Sequence, residues 1–199
     1  MKLFPIAQMI LNALVKPKQH ILIQEIPKGR VLDIGGGGEG VIAQAGGSGV
    51  VAIDKQISEI HEAREQAPGT PWMVADATEL PYQSSCFDNA TAFFSCMYMP
   101  DKVKENVFRE TRRVLKKGGE FWIWDVHMAP KIKVFAIRLQ VDLHEMHTIN
   151  TVYGVKAKEQ SAASIRSLLQ EAGFESEVIT NRKHWFFIKA VLVNNIVHR

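Results

Sequence analysis

The sequence predicts an α/β fold built on a doubly wound, mostly parallel sheet whose last strand runs antiparallel. Three observations lead to this prediction. Short β-rich segments alternate with helical patterns over residues 31–126, which is the order expected of βαβ units. Two more β-rich segments close the chain with only a short polar turn between them, so they should pair antiparallel. A run of glycines after the first buried strand marks a tight turn from strand to helix.

Composition fits a single domain over residues 1–199. Of the 199 residues, 46% are hydrophobic and 23% are charged, as in ordinary globular proteins. The formal charge of +3 is too small to indicate nucleic acid or an anionic membrane as a partner. The two cysteines, Cys86 and Cys96, favour a reducing compartment, so we expect a cytoplasmic protein. No stretch approaches the roughly 18 consecutive apolar residues of a membrane span.

The first element is predicted to be a helical segment within residues 1–27. The stretch MKLFPIAQMILNALVKPKQH contains an apolar run that Pro5, Gln8 and Asn12 interrupt, without a small-residue cleavage site after it. This pattern indicates an amphipathic helix rather than a signal peptide.

The central part of the chain then supplies five strands and three helices. The strands are predicted at residues 31–34, 50–54, 71–74, 87–95 and 120–126. The helix after the glycines is short, about two turns, because glycines return at positions 46–49. The next helix spans 58–66 with Ser58 as its N-cap, and another spans 102–117 with Gly118 and Gly119 as its stop.

The segment 131–155 is irregular. Apolar residues alternate strictly from Ile137 to Leu143, which predicts extended segments that form a hairpin or lid around 144–147. A helix across 133–146 is the open alternative. We expect the insert 127–157 to form a lid or a dimer surface.

The closing elements are a helix and two strands. The helix is predicted at 164–172, where apolar residues lie on one side and Gly173 ends it. The strands follow at 177–180 and 185–193, and they should form the antiparallel hairpin.

The glycine-rich stretch VLDIGGGGEG, residues 31–40, leaves two kinds of cofactor open. Gly35, Gly37 and Gly40 satisfy the G-x-G-x-x-G pattern of dinucleotide sites, in which a pyrophosphate lies against bare backbone. The methionine part of S-adenosylmethionine also needs bare backbone. Asp33 favours the second cofactor, because a carboxylate at the strand end would repel a pyrophosphate but suit an ammonium or sulfonium group.

Two further carboxylates follow the next strands. Asp54 ends the second strand of the central part, 19 positions after Gly35, where it can accept hydrogen bonds from ribose hydroxyls of either cofactor. Asp76 and Ala77 come just beyond the third strand, where a carboxylate and a backbone N–H can hold adenine. The dinucleotide fold has no fixed requirement for an acid there, so Asp76 also favours S-adenosylmethionine.

The same residues carry a family resemblance. VLDIGGGGEG, VVAIDK, VADATELPYQSSCFDNATAFFS, the segment 109–125 and EAGFE…HWFFIKAVL occur in the order typical of class I S-adenosylmethionine-dependent methyltransferases. The chain most resembles the methyltransferase type 11 branch, which includes quinone-biosynthesis C-methyltransferases. The resemblance covers roughly residues 28–126 and 160–193. It implies a Rossmann-like, seven-stranded sheet with an antiparallel last strand.

By resemblance, a set of residues at the strand ends would surround S-adenosylmethionine. They are Asp33, Gly35 and Gly37 at the methionine part, Asp54 and Lys55 at the ribose, Asp76 and Ala77 at the adenine, and Ser95 and Cys96 beside the sulfonium.

The expected activity is methyl transfer to a small, partly apolar acceptor by direct displacement. Tyr98 is a candidate to hydrogen-bond the acceptor or carry its proton, and His127, just past a strand end, is a candidate general base. A solvated or core histidine is the plainer interpretation of His127. The spacing of His127, His144 and His147 does not favour a metal site.

The acceptor site and the partners are less defined. We expect acceptor contacts from the N-terminal segment (Phe4, Met9, Ile10), the turn 97–100 and the insert 127–155. The expected partner is a small molecule, without nucleic acid or membrane, and a homodimer is possible. The alternatives are a methyltransferase acting on protein or RNA, and a non-catalytic protein that binds S-adenosylmethionine.

Overall fold

The computed structural model describes residues 15–129, 134–143 and 147–193, and these form two sheets with helices packed between and around them. The strands are β1 (Val15–Ile23), β2 (Val31–Ile34), β3 (Val50–Asp54), β4 (Trp72–Val74), β5 (Phe87–Phe93), β6 (Leu115–Val126), β7 (Val134–Leu143), β8 (Thr148–Lys156), β9 (Phe174–Asn181) and β10 (Trp185–Leu192). The α-helices are α1 (Val41–Gly46), α2 (Ile57–Gln66), α3 (Asp101–Val114) and α4 (Ala162–Glu171).

The main sheet has seven strands in the order β4-β3-β2-β5-β6-β10-β9. The first five of these are mutually parallel, whereas β10 runs antiparallel to both β6 and β9. The chain moves outward from β2 to β4 and then returns to the other side of β2 as β5. This reversal creates a topological switch point at the carboxyl ends of β2 and β5, where open α/β sheets bind ligands. The predicted fold class is confirmed.

Both faces of the main sheet are covered, which explains why β2 is a continuous apolar segment with one acid. All four of its residues are buried. On one face, Leu32 and Ile34 join a core with residues of α3 and α4 such as Phe108 and Ile165. The other face packs against α1 and against the second sheet. Helix α1 has six residues, which agrees with the short helix predicted from the glycines at its end.

The second sheet, here called the accessory sheet, consists of β1, β7 and β8. Strands β7 and β8 form an antiparallel hairpin, and β1 pairs parallel with β7. Alternate residues of β7 such as Ile137 and Leu139 share one apolar core with Trp122 and Trp124 of the main sheet. The predicted extended hairpin is therefore correct, and the alternative helix is wrong for residues 134–143. Its role as a lid or dimer surface stays a prediction.

The helical prediction for residues 1–27 is wrong over Val15–Ile23, which is strand β1. Ile21 and Ile23 are buried while His20 and Leu22 are exposed, a period of two that suits a strand. The partner strand β7 lies far along the chain, so no local sequence pattern predicts the pairing. Residues 1–14, including the proposed acceptor contacts at Phe4, Met9 and Ile10, lie outside the described residues.

Two predicted helix ends also differ from the structure. Helix α2 begins one residue before Ser58, and Gln56 occupies the N-cap position. Helix α3 ends at Val114, and the chain continues directly into β6, so Gly118 and Gly119 lie within a strand. A Cβ on Gly119 would lie 2.6 Å from the carbonyl oxygen of Asp88, in a region where the β5–β6 register shifts. The glycines therefore allow an irregular strand pairing rather than a helix stop.

Within the described part of the chain, no helix has the length and apolar character needed to cross a membrane.

Candidate functional site

The glycine-rich loop after β2 packs too closely against its neighbours for side chains at two of the predicted positions. Gly35 has a φ of +68°, and a Cβ there would lie 2.6 Å from Cβ of Ser95. A Cβ on Gly37 would lie 2.5 Å from Cβ of Glu59 on α2. Both glycines are therefore required for the loop to cross between the ends of β3 and β5 with its backbone bare.

Asp33 lies directly under this loop. Its side chain is buried, and Oδ1 accepts a hydrogen bond of 2.7 Å from the hydroxyl of Thr91. Its other oxygen, Oδ2, is buried without a hydrogen-bond partner among the described residues. The place that a Cβ on Gly36 would take is 2.2 Å from this oxygen. Burial raises the pKa of Asp33 to about 7, against the opposing hydrogen bond from Thr91 and with a smaller contribution from Asp54.

Asp54 joins the end of β3 to the glycine-rich loop. Its Oδ1 accepts from the backbone N–H of Gln56 at 2.9 Å, and its Oδ2 accepts from the N–H of Gly37 at 3.3 Å. The carboxylate is only partly buried. It therefore keeps acceptor capacity toward solvent, as hydrogen bonds from ribose hydroxyls would require.

Asp76, which is predicted to bind adenine, is itself bound by Lys55 and Thr78. Lys55 forms an ion pair with its Oδ2 at 2.7 Å, while the N–H and hydroxyl of Thr78 donate to Oδ1 at 2.9 and 2.7 Å. The hydrogen bond from Lys55, followed by those from Thr78, lowers the pKa of Asp76 to about 2. Lys55 therefore extends toward the predicted adenine position, and Ala77 beside it is partly exposed.

Ser95 and Cys96 follow β5 but take different roles. The hydroxyl of Ser95 donates to the carbonyl oxygen of Ile34 at 2.7 Å, which joins the ends of β5 and β2. Cys96 opens a short 3-10 turn, and its thiol is buried in the core, where burial raises its pKa above the usual range. The structure therefore places Ser95 at the predicted site and Cys96 beneath it.

The two catalytic candidates lie apart. Tyr98 ends the 3-10 turn, is about half exposed (49%), and lies near Gly154 of β8. The Nε2 atom of His127 lies 2.9 Å from Oδ1 of Asn181, and its ring packs edge-on against Phe186. The imidazole therefore points toward β9 and β10, on the far side of β6 from the glycine-rich loop. Its role as a base stays a prediction.

The sequence did not reveal that Glu39 links the loop to the accessory sheet. The phenol of Tyr153 donates to Oε2 of Glu39 at 2.9 Å, and the hydroxyl of Thr151 donates to Oε1. The ring of Tyr153 also stacks on Phe94, with centroids 5.6 Å apart. The one available signal was that Glu39 interrupts an otherwise all-glycine run from Gly35.

Asp125 was also missed as a site residue. It is fully buried near the end of β6 and accepts hydrogen bonds from the N–H groups of Met97 and Val126 and from the amide of Gln160, at 3.1, 2.8 and 2.7 Å. Burial raises its pKa to about 6. It holds the turn that carries Tyr98 against β6. The signal was a single acid inside the apolar strand segment FWIWDV, residues 121–126.

No group of three or more His, Cys, Asp or Glu side chains suited to a metal ion is present among the described residues. His147 is hydrogen-bonded to Gln44 of α1 at 2.6 Å, and His144 lies outside the described part of the chain.

Comparison with known proteins agrees with this geometry. The sequence model of a family described as a methyltransferase domain matches residues 31–119. A 27-O-demethylrifamycin SV methyltransferase from Amycolatopsis mediterranei is 32% identical over 158 residues, which cover 74% of this chain and 54% of that protein. A ubiquinone/menaquinone biosynthesis C-methyltransferase from Acidiphilium cryptum is 35% identical over 105 residues, covering 48% of this chain and 41% of that protein. The chain thus spans about half the length or less of these curated relatives.

A solved structure shares the fold. An S-adenosylmethionine-dependent methyltransferase from Mesorhizobium loti superposes with a TM-score of 0.60 at 19% identity, over 83% of this chain and 93% of that one. The strand order, the glycine-rich loop at the switch point and these relatives lead to the same family. The chain belongs to the class I S-adenosylmethionine-dependent methyltransferases, whose cofactor is S-adenosylmethionine.

Proposed function

We propose that this protein transfers a methyl group from S-adenosylmethionine to a small, partly apolar acceptor. The observation that carries the proposal is the placement of three carboxylates around one bare loop. Asp33, Asp54 and Asp76 lie at or just past the carboxyl ends of β2, β3 and β4, which are neighbours in the sheet. The glycine-rich loop crosses the same edge.

The residues present fit the cofactor. The unpartnered Oδ2 of buried Asp33 lies beneath Gly36, and a nearby ammonium or sulfonium would provide the positive charge that favours its ionised form. Asp54 retains acceptor capacity for ribose hydroxyls. An adenine amine would share Asp76 with Lys55, or displace it, because that carboxylate is already ion-paired.

The bound cofactor supplies an activated methyl group on a sulfonium, so the protein mainly has to orient the acceptor and exclude water. The buried thiol of Cys96, with its raised pKa, is unsuited to act as a nucleophile, which supports direct transfer. Burial also raises the pKa of Tyr98, so its phenol is protonated at neutral pH. In this role Tyr98 donates a hydrogen bond to the acceptor rather than removing its proton. For His127 to act as the proposed base, its imidazole would have to leave Asn181 and turn toward the glycine-rich loop.

The walls next to the site and the names of two relatives support the proposed acceptor class. The turn after β5 carries Tyr98, which is half exposed, and is followed by Met99, which is partly buried. Strand β8 of the accessory sheet lies beside this turn. The two curated relatives are named for 27-O-demethylrifamycin SV and for ubiquinone/menaquinone biosynthesis. These observations support an aromatic or hydroquinone-like acceptor.

Calorimetric titration with S-adenosylmethionine, S-adenosylhomocysteine and NADH tests the cofactor part of the proposal. We expect the first two to bind and NADH to give no heat. Asp54→Ala should weaken binding, while Glu62→Ala, which removes an exposed carboxylate on α2, should leave it unchanged. Binding of NADH alone, or an Asp54→Ala variant with unchanged affinity, would contradict the assignment.

The transfer step is tested with methyl-labelled S-adenosylmethionine and a panel of phenols, hydroquinones and amines. Label should appear in a phenol or hydroquinone, and Asp54→Ala should reduce it at cofactor concentrations below saturation. Labelling confined to amines would overturn the acceptor class, and binding of the cofactor without any labelling would favour a non-catalytic binding protein.

A further inference from the structure

The glycine-rich loop has very few means of holding its own shape. Between Gly35 and Gly40 the sequence contains five glycines and one other residue, Glu39. Glycine loses more backbone freedom on ordering than any other residue, and it offers no side chain for contacts with the rest of the protein. Among the residues of the loop itself, Glu39 is therefore the one whose side chain can anchor it, beside the hydrogen bond from the Gly37 N–H to Asp54.

Glu39 is bound by the accessory sheet. Both carboxylate oxygens accept hydrogen bonds from hydroxyls on β8, one from Thr151 and the other, at 2.9 Å, from Tyr153. Alternate residues of β8 face the main sheet, which places these two side chains on the same side of the strand. Burial and the adjacent Glu39 carboxylate hold the pKa of the Tyr153 phenol well above its usual range, so it remains a donor.

Other contacts link the region of the glycine-rich loop to the accessory sheet. The amide of Gln44 in α1 donates to the backbone carbonyl of Glu39 at 2.6 Å, and its oxygen lies 2.6 Å from Nε2 of His147 beside β8. The ring of Tyr153 stacks on Phe94 at the end of β5. Glu39 is thus anchored through its side chain and its backbone by elements on the accessory-sheet side.

We propose that Glu39 is a positioning residue through which β8 of the accessory sheet, by way of Thr151 and Tyr153, preorganises the glycine-rich loop for its ligand. That the ligand is S-adenosylmethionine rests on the proposed function, but the ordering of the loop does not. The contacts of Thr151 and Tyr153 with Glu39 are called the clamp below. By linkage, a clamp that favours the binding-competent loop raises affinity for the ligand, and the bound ligand in turn stabilises β8.

Amide hydrogen exchange in the ligand-free protein measures the loop directly. The N–H groups of Gly36 and Gly38 donate to the carbonyl oxygens of Ile53 and Glu59, at 3.0 and 2.9 Å, so their exchange reports whether the loop is formed. Thr151→Val, which keeps the side-chain shape but removes the hydroxyl, should speed exchange of both amides about tenfold, the order expected for one hydrogen bond to a charged group. Amides in α4 serve as the reference and should not change.

Two matched variants separate positioning from general destabilisation. Thr151→Ser retains the hydroxyl and should restore slow exchange. Val152→Ala changes the next residue of β8, which is 51% exposed on the opposite face, and should behave as wild type. Tyr153→Phe removes the other donor and should add to the effect of Thr151→Val. Unchanged exchange of Gly36 and Gly38 in Thr151→Val would overturn the proposal.

Calorimetry with S-adenosylhomocysteine on the same variants separates this proposal from the proposed function. We expect Thr151→Val to bind about tenfold more weakly than wild type, and Thr151→Ser to bind normally. If wild type binds and Thr151→Val binds equally well, the clamp is refuted while the cofactor assignment stands. If wild type does not bind but exchange responds as described, the cofactor assignment fails and the clamp stands.

Discussion

Replacing Asp33 by asparagine should change stability and cofactor binding in opposite directions above pH 7. The free carboxyl has a usual pKa of 3.8, whereas burial raises the pKa of Asp33 to about 7. This difference of about three units corresponds to about 4 kcal/mol, the full cost of ionising the group in the folded protein. Because the folded state holds the proton more tightly, the free energy of unfolding falls as pH rises from about 4 to about 7. Asparagine does not ionise and avoids this loss.

Two observables follow for the ligand-free protein. Relative to wild type, Asp33→Asn should gain about 3 kcal/mol of stability between pH 5 and pH 8.5. The measurement is urea unfolding at four pH values across this range. Asp88→Asn is the control, because Asp88 is paired with Lys116 at the opposite end of the sheet and its pKa is lowered rather than raised. Its stability relative to wild type should not vary with pH over this range.

Cofactor binding should show the opposite dependence on ionisation. The ammonium group that S-adenosylmethionine and S-adenosylhomocysteine share favours the carboxylate of Asp33, so binding releases a proton, and affinity should rise about tenfold per pH unit from about 5 to about 7 and then level off. Asp33→Asn should lack this slope and bind at least about tenfold more weakly at pH 8. Titrations with S-adenosylhomocysteine in two buffers of different ionisation enthalpy detect the proton. The same slope in Asp33→Asn, or binding of wild type without pH dependence, would refute this reasoning.

Three further predictions concern the surrounding site. Asp54→Ala should weaken S-adenosylhomocysteine binding about tenfold or more by calorimetry, because a direct acceptor is lost; an unchanged affinity contradicts its role. Asp125→Ala should cost about 3 kcal/mol in urea unfolding, because buried donors, among them the Met97 N–H, lose their acceptor. A loss below about 1 kcal/mol would mean that water replaces the carboxylate. Lys55→Met should raise the pKa of Asp76 from about 2 toward 3.8 in an NMR titration with little change in stability, since the pair is largely exposed. An unchanged pKa of Asp76 would mean that the hydrogen bonds from Thr78 are enough to keep it low.

Local patterns predicted the main sheet well. Strands β2 and β3 occupy the predicted residues, and the closing hairpin pairs antiparallel as expected. These segments are buried on both faces or lie next to short turns. The apolar pattern and the glycines between segments are therefore enough to predict where the strands begin and end. The carboxylates at the strand ends were predicted for the same reason, since a parallel sheet places successive strand ends on one edge.

Long-range partners were not predictable in the same way. Strand β1 has an apolar neighbourhood that fits a helix as well as a strand, and only pairing with β7, far along the chain, decides between them. The ring of His127 could have faced the cofactor or the antiparallel edge, and contact with Asn181 in the structure sets its direction. The link between Glu39 and β8 joins residues that are more than 110 positions apart.

The parallel sheet, the antiparallel ending, the glycine-rich loop and the order of acids around it can be predicted from local sequence, because each depends on neighbours within a few residues. The pairing of β1 with the insert, the ion pair of Lys55 with Asp76 and the contacts of β8 with Glu39 become visible in the folded protein alone. These contacts depend on which distant surfaces meet when the core closes. A loop made almost wholly of glycine has no local preference strong enough to choose its own shape, so the rest of the fold must supply it.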